Sequence, residues 1–222
     1  MRGLTLSDKR IVYTEADGRV TILVPAPQWL AGVTGRGGLI TPEDRDEQIG
    51  RFQVPRAQLG PGMNAAQATY YVDCCISGGL DPEDAFALLA MKDVASGGTG
   101  VELWDASQVS ADRWFRDAWR RSPEGGPIFI DLAEARKIQA TKIVAAQRNK
   151  IRLYDDENAT AALMGVGGNV LSFLIDAWRD LPLSQIGAAL AAASTPDELR
   201  GILDLEAMEV DPTSILDWRL SA

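Results

Sequence analysis

The chain has 222 residues, of which 46% are hydrophobic and 24% charged, a composition typical of a folded globular protein. With 22 basic and 31 acidic residues its net charge is −9, so it lacks the basic footprint expected of a nucleic-acid-binding surface. It contains no histidine, which excludes histidine-dependent acid–base catalysis, Ser-His-Asp triads and histidine-ligated metal sites.

The only two cysteines, Cys74 and Cys75, are adjacent. They are too few for a four-thiolate zinc site, and a disulfide between neighbouring residues departs from ordinary disulfide geometry. We therefore expect two reduced, buried thiols, with a disulfide between subunits as the alternative. The first residues contain no apolar segment typical of a signal peptide, and no run of apolar residues is long enough to span a membrane. We expect neither a signal peptide nor a membrane anchor.

The first predicted element is a β-hairpin. Two runs rich in β-branched residues, Arg10–Thr14 and Arg19–Val24, flank the dipeptide Asp17-Gly18. Asp-Gly tolerates the positive φ angles of a tight hairpin turn, and Pro25 ends the second strand because proline cannot donate to a strand ladder. From about residue 30 to residue 62 the chain is rich in glycine and proline, which predicts an extended arm.

Helix starts are marked by a polar residue followed by proline and acidic residues, at Thr41, Asp81 and Thr195. The polar side chain accepts from free N–H groups, proline suits the first helical position, and the acids favour the positive end of the helix dipole. The glycine-rich stretches Gly35–Gly38 and Gly165–Gly168 match neither the phosphate-binding nor the dinucleotide-binding pattern. We interpret both as loops.

Two short strands, Val101–Trp104 and Pro127–Ile130, precede the longest predicted helix. Asp131 caps that helix, which should extend from Leu132 to about Tyr154. A second helix, Val170–Trp178, should fold back on it as an antiparallel helical hairpin. The sequence thus predicts an α+β fold in two regions: residues 1–130, with the N-terminal hairpin and the arm, and residues 131–222, which are helical and end in a docking segment.

Basic residues are concentrated on the long helix, where no acid lies between Ala135 and Tyr154. They are Arg136, Lys137, Lys142, Arg148, Lys150 and Arg152. Three interpretations are open: a solvated helix face, a surface that docks on an acidic subunit, or a nucleic-acid site. The last is the least expected, because interleaved aromatic residues are missing.

Three tryptophans complete the predicted interaction residues. Trp114 and Trp119 lie among arginines, and Trp218 lies near the end of the chain, whereas Trp104 and Trp178 are expected in the core. The acidic clusters Glu43-Asp44 and Asp155–Glu157 do not have the spacing of a calcium-binding loop. We therefore predict no catalytic residue, no metal, no cofactor and no small-molecule substrate.

The chain resembles small tail- and tail-fibre-associated proteins of tailed bacteriophages and prophages. The resemblance covers half to two-thirds of the chain in short blocks, and the order of the blocks carries it. The blocks are Ile11–Val20, Val24–Pro27, Glu102–Ser107, Asp112–Trp119, Leu132–Arg136, Trp178–Pro182 and Thr195–Leu199. The segment Gly32–Pro61 and the residues after Glu206 depart from the pattern.

The resemblance implies a non-enzymatic structural protein of the virion, assembled in the cytoplasm of the host bacterium. Its expected position is the tail, the neck or the fibre-attachment region, and its expected partners are other phage structural proteins and copies of itself. Neither nucleic acid nor a membrane is an expected partner. The alternative is an assembly chaperone for the tail or tail fibre that is absent from the mature particle.

Overall fold

The computed structural model describes residues 8–55, 62–164 and 172–203, and it has an α+β fold. In chain order the elements are β1 (Lys9–Thr14), β2 (Val20–Leu23), α1 (Pro27–Thr34), α2 (Arg45–Gln53), α3 (Ala65–Ser77), α4 (Pro82–Asp93), β3 (Thr99–Asp105), β4 (Trp119–Ser122), β5 (Gly125–Ile130), α5 (Leu132–Leu163), α6 (Ser172–Arg179), α7 (Leu183–Ala192) and α8 (Pro196–Gly201). They form two compact units. The first contains the described residues up to Arg113 together with Trp119–Phe129, and the second contains Trp114–Ala118 with the described residues from Ile130 onward.

The predicted N-terminal hairpin is confirmed and belongs to a three-stranded antiparallel sheet with the order β2-β1-β3. Gly18 has a φ of 83°, the left-handed conformation that the Asp-Gly turn requires. In this sheet Ile11 of β1 pairs with Leu23 on one side and Leu103 on the other. Strands β4 and β5 form a separate two-stranded sheet.

Arg121 of β4 joins the strands of the first unit. Its side chain is fully buried and donates to the carbonyl oxygens of Val12 at 3.3 Å, Gly100 at 2.9 Å and Gly126 at 2.7 Å. Its remaining terminal nitrogen lies 2.5 Å from a carboxylate oxygen of Glu102, an ion pair. A buried guanidinium is tolerated when its charge is paired and most of its donors are satisfied. Here Nε and one terminal nitrogen donate to carbonyls, and the other terminal nitrogen is paired with Glu102.

The predicted extended arm at residues 30–62 is wrong where α1 and α2 occupy this part of the chain. Val33 of α1 is fully buried, and the phenyl ring of Phe52 in α2 contacts the Tyr71 ring edge-on at 4.7 Å. The indole N–H of Trp29 donates to the hydroxyl of Tyr71 at 2.9 Å. Both helices therefore pack on α3 instead of extending away from the protein.

The glycine-rich stretch after α1 caps the C-terminus of α3. The backbone N–H groups of Gly38 and Leu39 donate to the carbonyls of Ile76 and Cys75, each at 3.0 Å. Gly37 has a φ of 74°, and a Cβ atom there would lie 2.0 Å from the carbonyl oxygen of Ile76. Only glycine permits this approach, so the stretch is a packed cap that satisfies the free carbonyls of a helix end.

Two of the three predicted helix caps use their side chains as expected. Asp81 accepts from the N–H of Asp84 at 2.9 Å, and Thr195 accepts from that of Glu198 at 3.2 Å. At Thr41 the chain instead forms a short 3-10 turn, Pro42–Asp44, which leads into α2.

Helix α5 is longer than predicted, since it continues past Tyr154 to Leu163. The added turns are rich in alanine, which has the highest helix propensity, and no glycine or proline interrupts them before Gly165. The predicted second helix is present as α6, and Trp178 is buried in the core as expected. The predicted loop Gly165–Gly168 and the predicted C-terminal docking segment lie outside the described residues.

The two cysteine thiols are free and buried in the first unit, on α3. Burial raises the pKa of both, so the reactive thiolate is scarce at neutral pH. We expect both thiols to react with a thiol reagent far more slowly in the native protein than in urea. Thiol titration with and without urea measures this, and a disulfide-linked dimer on non-reducing electrophoresis would contradict it.

A second prediction concerns the dependence of stability on pH. The indole N–H of Trp104, which donates at 2.8 Å, is the largest of several contacts that hold the pKa of Glu102 below its usual 4.5. A carboxyl with a lowered folded-state pKa stabilises the fold above its unfolded pKa, and this contribution is lost as the pH falls through the folded pKa. We expect stability to fall below about pH 4.5.

The variant Glu102→Gln should lose part of this acid sensitivity, because an amide does not titrate. Urea denaturation between neutral pH and pH 3 measures it, and Glu47→Gln, at an exposed position of α2, is the control that should keep the wild-type profile. Identical acid sensitivity in wild type and Glu102→Gln would show that this carboxylate contributes nothing.

Candidate interaction surface on the long helix

The N-terminal half of α5 packs in the core of the second unit. Asp131 caps the helix by accepting from the N–H groups of Ala133 and Glu134 at 2.9 and 3.2 Å. Its buried side is formed by residues at four-residue intervals, Ala135, Gln139 and Ile143, and all three are at most 1% exposed. This spacing places them on one helix face.

Gln139 links three segments of the second unit through its buried amide. Its oxygen accepts from the indole N–H of Trp114 at 2.8 Å, and its nitrogen donates to the carbonyl of Ile202 at 3.1 Å. The ammonium of Lys142 lies 3.6 Å from the centre of the Trp114 ring and donates to the Trp114 carbonyl at 2.9 Å. The guanidinium of Arg200 lies over the same ring at 5.2 Å. Trp114 and Lys142 are therefore engaged inside the unit.

Two further predicted residues of α5 also have partners within the chain. Arg136 donates to the carbonyl oxygen of Ala193 at 2.8 Å, which holds the end of α7 against α5. Lys137 is exposed and pairs with Glu134, one turn earlier, at 2.7 Å. An exposed pair of this kind contributes little to stability.

Trp119 is buried, with 3% of its surface exposed, and the guanidinium of Arg113 lies 4.9 Å from its ring centre. The third predicted tryptophan, Trp218, lies outside the described residues. The arginines around Trp114 and Trp119 were the sequence signal for an interface, and in the structure one of them, Arg113, lies over the Trp119 ring itself.

Ion pairing within the chain distinguishes the last three predicted basic residues, which are Arg148, Lys150 and Arg152. Arg148 and Arg152 are exposed and Lys150 is half-buried. With the described residues, none of the three forms an ion pair. Their charges are therefore available to a partner.

Beyond Tyr154 almost the whole circumference of α5 is exposed. The acidic residues Asp155, Asp156 and Glu157 are all exposed, and Leu163 and Met164 are 89% and 75% exposed. Sequence reasoning ended the helix at Tyr154 and so missed that these residues continue the same surface. The signal was present in the alanine-rich run and in the absence of a helix breaker before Gly165.

One face of α5 carries basic residues first and acidic residues after them along the helix. At about 100° per residue, Arg152 and Asp156 lie opposite the buried Tyr154, and Arg148 and Asp155 lie next to them on one flank. Arg152 and Asp156 are one turn apart, yet they form no ion pair. The face is thus basic towards its N-terminal end and acidic towards its C-terminal end.

On the opposite side, Tyr154 anchors this half of the helix. Its ring is 5% exposed, and burial is the main cause that raises the pKa of its hydroxyl. Nearby, Gln147 donates to the carbonyl of Trp178 at 2.8 Å. These contacts fix which face of α5 points to solvent.

No group of three potential metal ligands is present within residues 8–55, 62–164 and 172–203. In the same ranges no helix has the length and apolarity needed to cross a membrane. Comparison of the chain with known protein families, with curated proteins and with solved structures gives no match. Function is therefore inferred from the chain's own residues.

We expect Gln139→Leu to destabilise the second unit by about 1–3 kcal/mol, since it leaves the Trp114 indole N–H and the Ile202 carbonyl without a partner. Urea denaturation followed by far-UV circular dichroism measures the loss. Lys137→Ala is the control on the same helix, and its exposed pair should cost about 0.5 kcal/mol or less. Equal stability of the two variants would contradict a linking role for Gln139.

Proposed function

We propose that this protein is a non-enzymatic structural component of a tailed-phage particle and acts through contacts between subunits. The observation that carries the proposal is the C-terminal half of α5, which presents unpaired charges of both signs and exposed apolar side chains. Within the described chain, one side of this segment packs into the core, at Tyr154. The exposed surface of the segment suits a protein partner, since complementary charge sets the orientation and rate of association.

The resemblance of the sequence blocks to tail- and tail-fibre-associated proteins supports placing those contacts in the tail, neck or fibre-attachment region. On this proposal the partners are other phage structural proteins and copies of the chain itself, and the protein resides in the virion after assembly in the bacterial cytoplasm. Nucleic acid is not a proposed partner, because the chain is acidic overall.

We propose no catalytic activity, cofactor or small-molecule substrate. The chain has no histidine, and the acidic residues of α5 lie on an exposed helix instead of converging in a cleft, where catalytic carboxylates are usually found. The surface that we assign to function is convex, which suits a protein partner better than a small molecule.

We also interpret α5 and α6 as the predicted antiparallel helical hairpin. Gln147, sixteen residues before the end of α5, contacts Trp178 near the end of α6. This contact holds α6 against α5, as the hairpin requires. The hairpin would hold the buried side of α5 and leave the charged face outward.

An assembly chaperone for the tail or tail fibre is the second candidate. The same exposed charges favour it, because charges that remain near solvent give fast and salt-sensitive association, which suits a partner that must be released. The two candidates differ in one property, which is whether the protein is retained in the finished particle.

Mass spectrometry of gradient-purified particles from a phage or prophage that encodes the chain tests the proposal. We expect the protein at a fixed ratio to the known structural proteins. Its absence from particles, together with a complex with a tail or fibre protein in the lysate, would reject the structural role and support the chaperone. Host proteins of similar abundance serve as the control for carry-over.

A further inference from the structure

Six exposed residues form a continuous stripe on α5, here called the α5 stripe. They recur at alternating intervals of four and three, the spacing of residues at a helix–helix contact. They are Ala145, Asn149, Arg152, Asp156, Ala159 and Leu163. All six lie on the side of the helix away from Tyr154, which is buried.

From this stripe we infer that α5 binds the α5 stripe of a second copy of the chain in antiparallel orientation, about a two-fold axis level with Tyr154. The inference deepens the proposed function and rests on it for the expectation that several copies assemble. A two-fold contact uses the same surface on both subunits, so each residue must complement the one that it meets. The α5 stripe meets this condition.

Charge complementarity is the first argument. In the antiparallel register Arg152 of one copy lies opposite Asp156 of the other, and the symmetry forms this pair twice. Arg148 lies beside the stripe, within one turn of the same carboxylate, and Asp155 lies beside Asp156. Within the described chain none of these four side chains has an ion-pair partner. In the proposed dimer, the acids of the second copy pair with Arg148 and Arg152, and its arginines pair with Asp155 and Asp156.

The size of the remaining side chains agrees with the same register. Ala145 lies opposite Leu163 of the second copy, so a small side chain meets a large one at both ends of the contact. Asn149 lies opposite Ala159, a combination that fits without steric conflict. Leu163 is 89% exposed in the isolated chain, and covering it removes apolar surface from water.

Orientation follows from the charges. In a parallel pair each stripe residue would meet its own copy, which places Arg152 against Arg152 and Asp156 against Asp156. Like charges placed opposite each other are unfavourable and act against that arrangement. The antiparallel pair removes both repulsions, so the α5 stripe selects one orientation.

The contact is small. A helix pair of this length falls in the class of interfaces that bury less than about 1,200 Å², which are typically weak and transient. We therefore expect a dimer that forms with rising protein concentration, as inside an assembling particle. Because its charges stay near solvent, the dimer should weaken as salt is added.

Charge-swapped variants test the inference. An acidic variant, Arg148→Glu with Arg152→Glu, and a basic variant, Asp155→Lys with Asp156→Lys, each carry one sign of charge along the face. We expect wild type to dimerise with concentration in sedimentation velocity and each variant alone to bind itself at least tenfold more weakly. An equimolar mixture of the two should regain the dimer as a heterodimer.

The mixture also guards against misfolding, because two damaged proteins would not restore each other. Reversal of two exposed basic residues elsewhere in the second unit, Arg116→Glu with Arg179→Glu, is the matched control and should leave the wild-type dimer unchanged. A monomeric wild type at every accessible concentration would overturn the inference. So would variants that dimerise as wild type does, or a mixture that stays monomeric.

Cysteine cross-linking tests the register directly. A chain with both Asn149→Cys and Ala159→Cys should form a disulfide-linked dimer under mild oxidation. Asn149→Cys alone should not, since its two copies would lie about 15 Å apart along the helix axis. Cross-linking by the single variant would indicate a parallel pair and overturn the inference. The oligomer of the isolated chain and its presence in particles are separate measurements, so the dimer and the proposed function can fail independently.

Discussion

One buried amide, that of Gln139, joins three segments of the second unit. It has no contact with solvent, and both of its ends are satisfied, by the indole of Trp114 and by the carbonyl of Ile202. Buried polar groups are retained in folded proteins when they are satisfied in this way. Together with the buried Ile143 and Tyr154, this requirement sets the rotation of α5 about its own axis, and the rotation decides which residues further along the helix face the solvent.

The basic residues of α5 divide according to this geometry. Arg136 and Lys142 lie within two turns of Gln139 and are drawn into contacts with the carbonyls of Ala193 and Trp114. Arg148 and Arg152 lie beyond the reach of these segments and remain exposed. A sequence pattern that looks uniform therefore has two roles: the first part holds the unit together, and the second part is left for a partner.

Local chemistry made part of the fold predictable, and long-range contacts decided the rest. The β1–β2 hairpin follows from the Asp-Gly turn, and the caps at Asp81 and Thr195 follow from side chains that reach their own helix. The Thr41-Pro42 signal marks the approach to α2, but no such polar cap marks α1. The packing of both helices on α3 depends on contacts between residues 19 and 42 positions apart in the sequence, Phe52–Tyr71 and Trp29–Tyr71. Likewise, the internal partners of Trp114 and Lys142 exist only once the second unit has folded.

The exposed half of α5 carries an internal conflict that a partner would relieve. Arg148 and Arg152 are one turn apart on one face, where like charges destabilise a helix. The last turn carries no basic residue to complement the negative end of the helix dipole. Alanine-rich turns allow the helix to persist despite the like-charge repulsion and the uncomplemented dipole. An antiparallel neighbour places acids beside the arginines and arginines beside the acids, and so offsets the repulsion between Arg148 and Arg152 with residues that the chain already has.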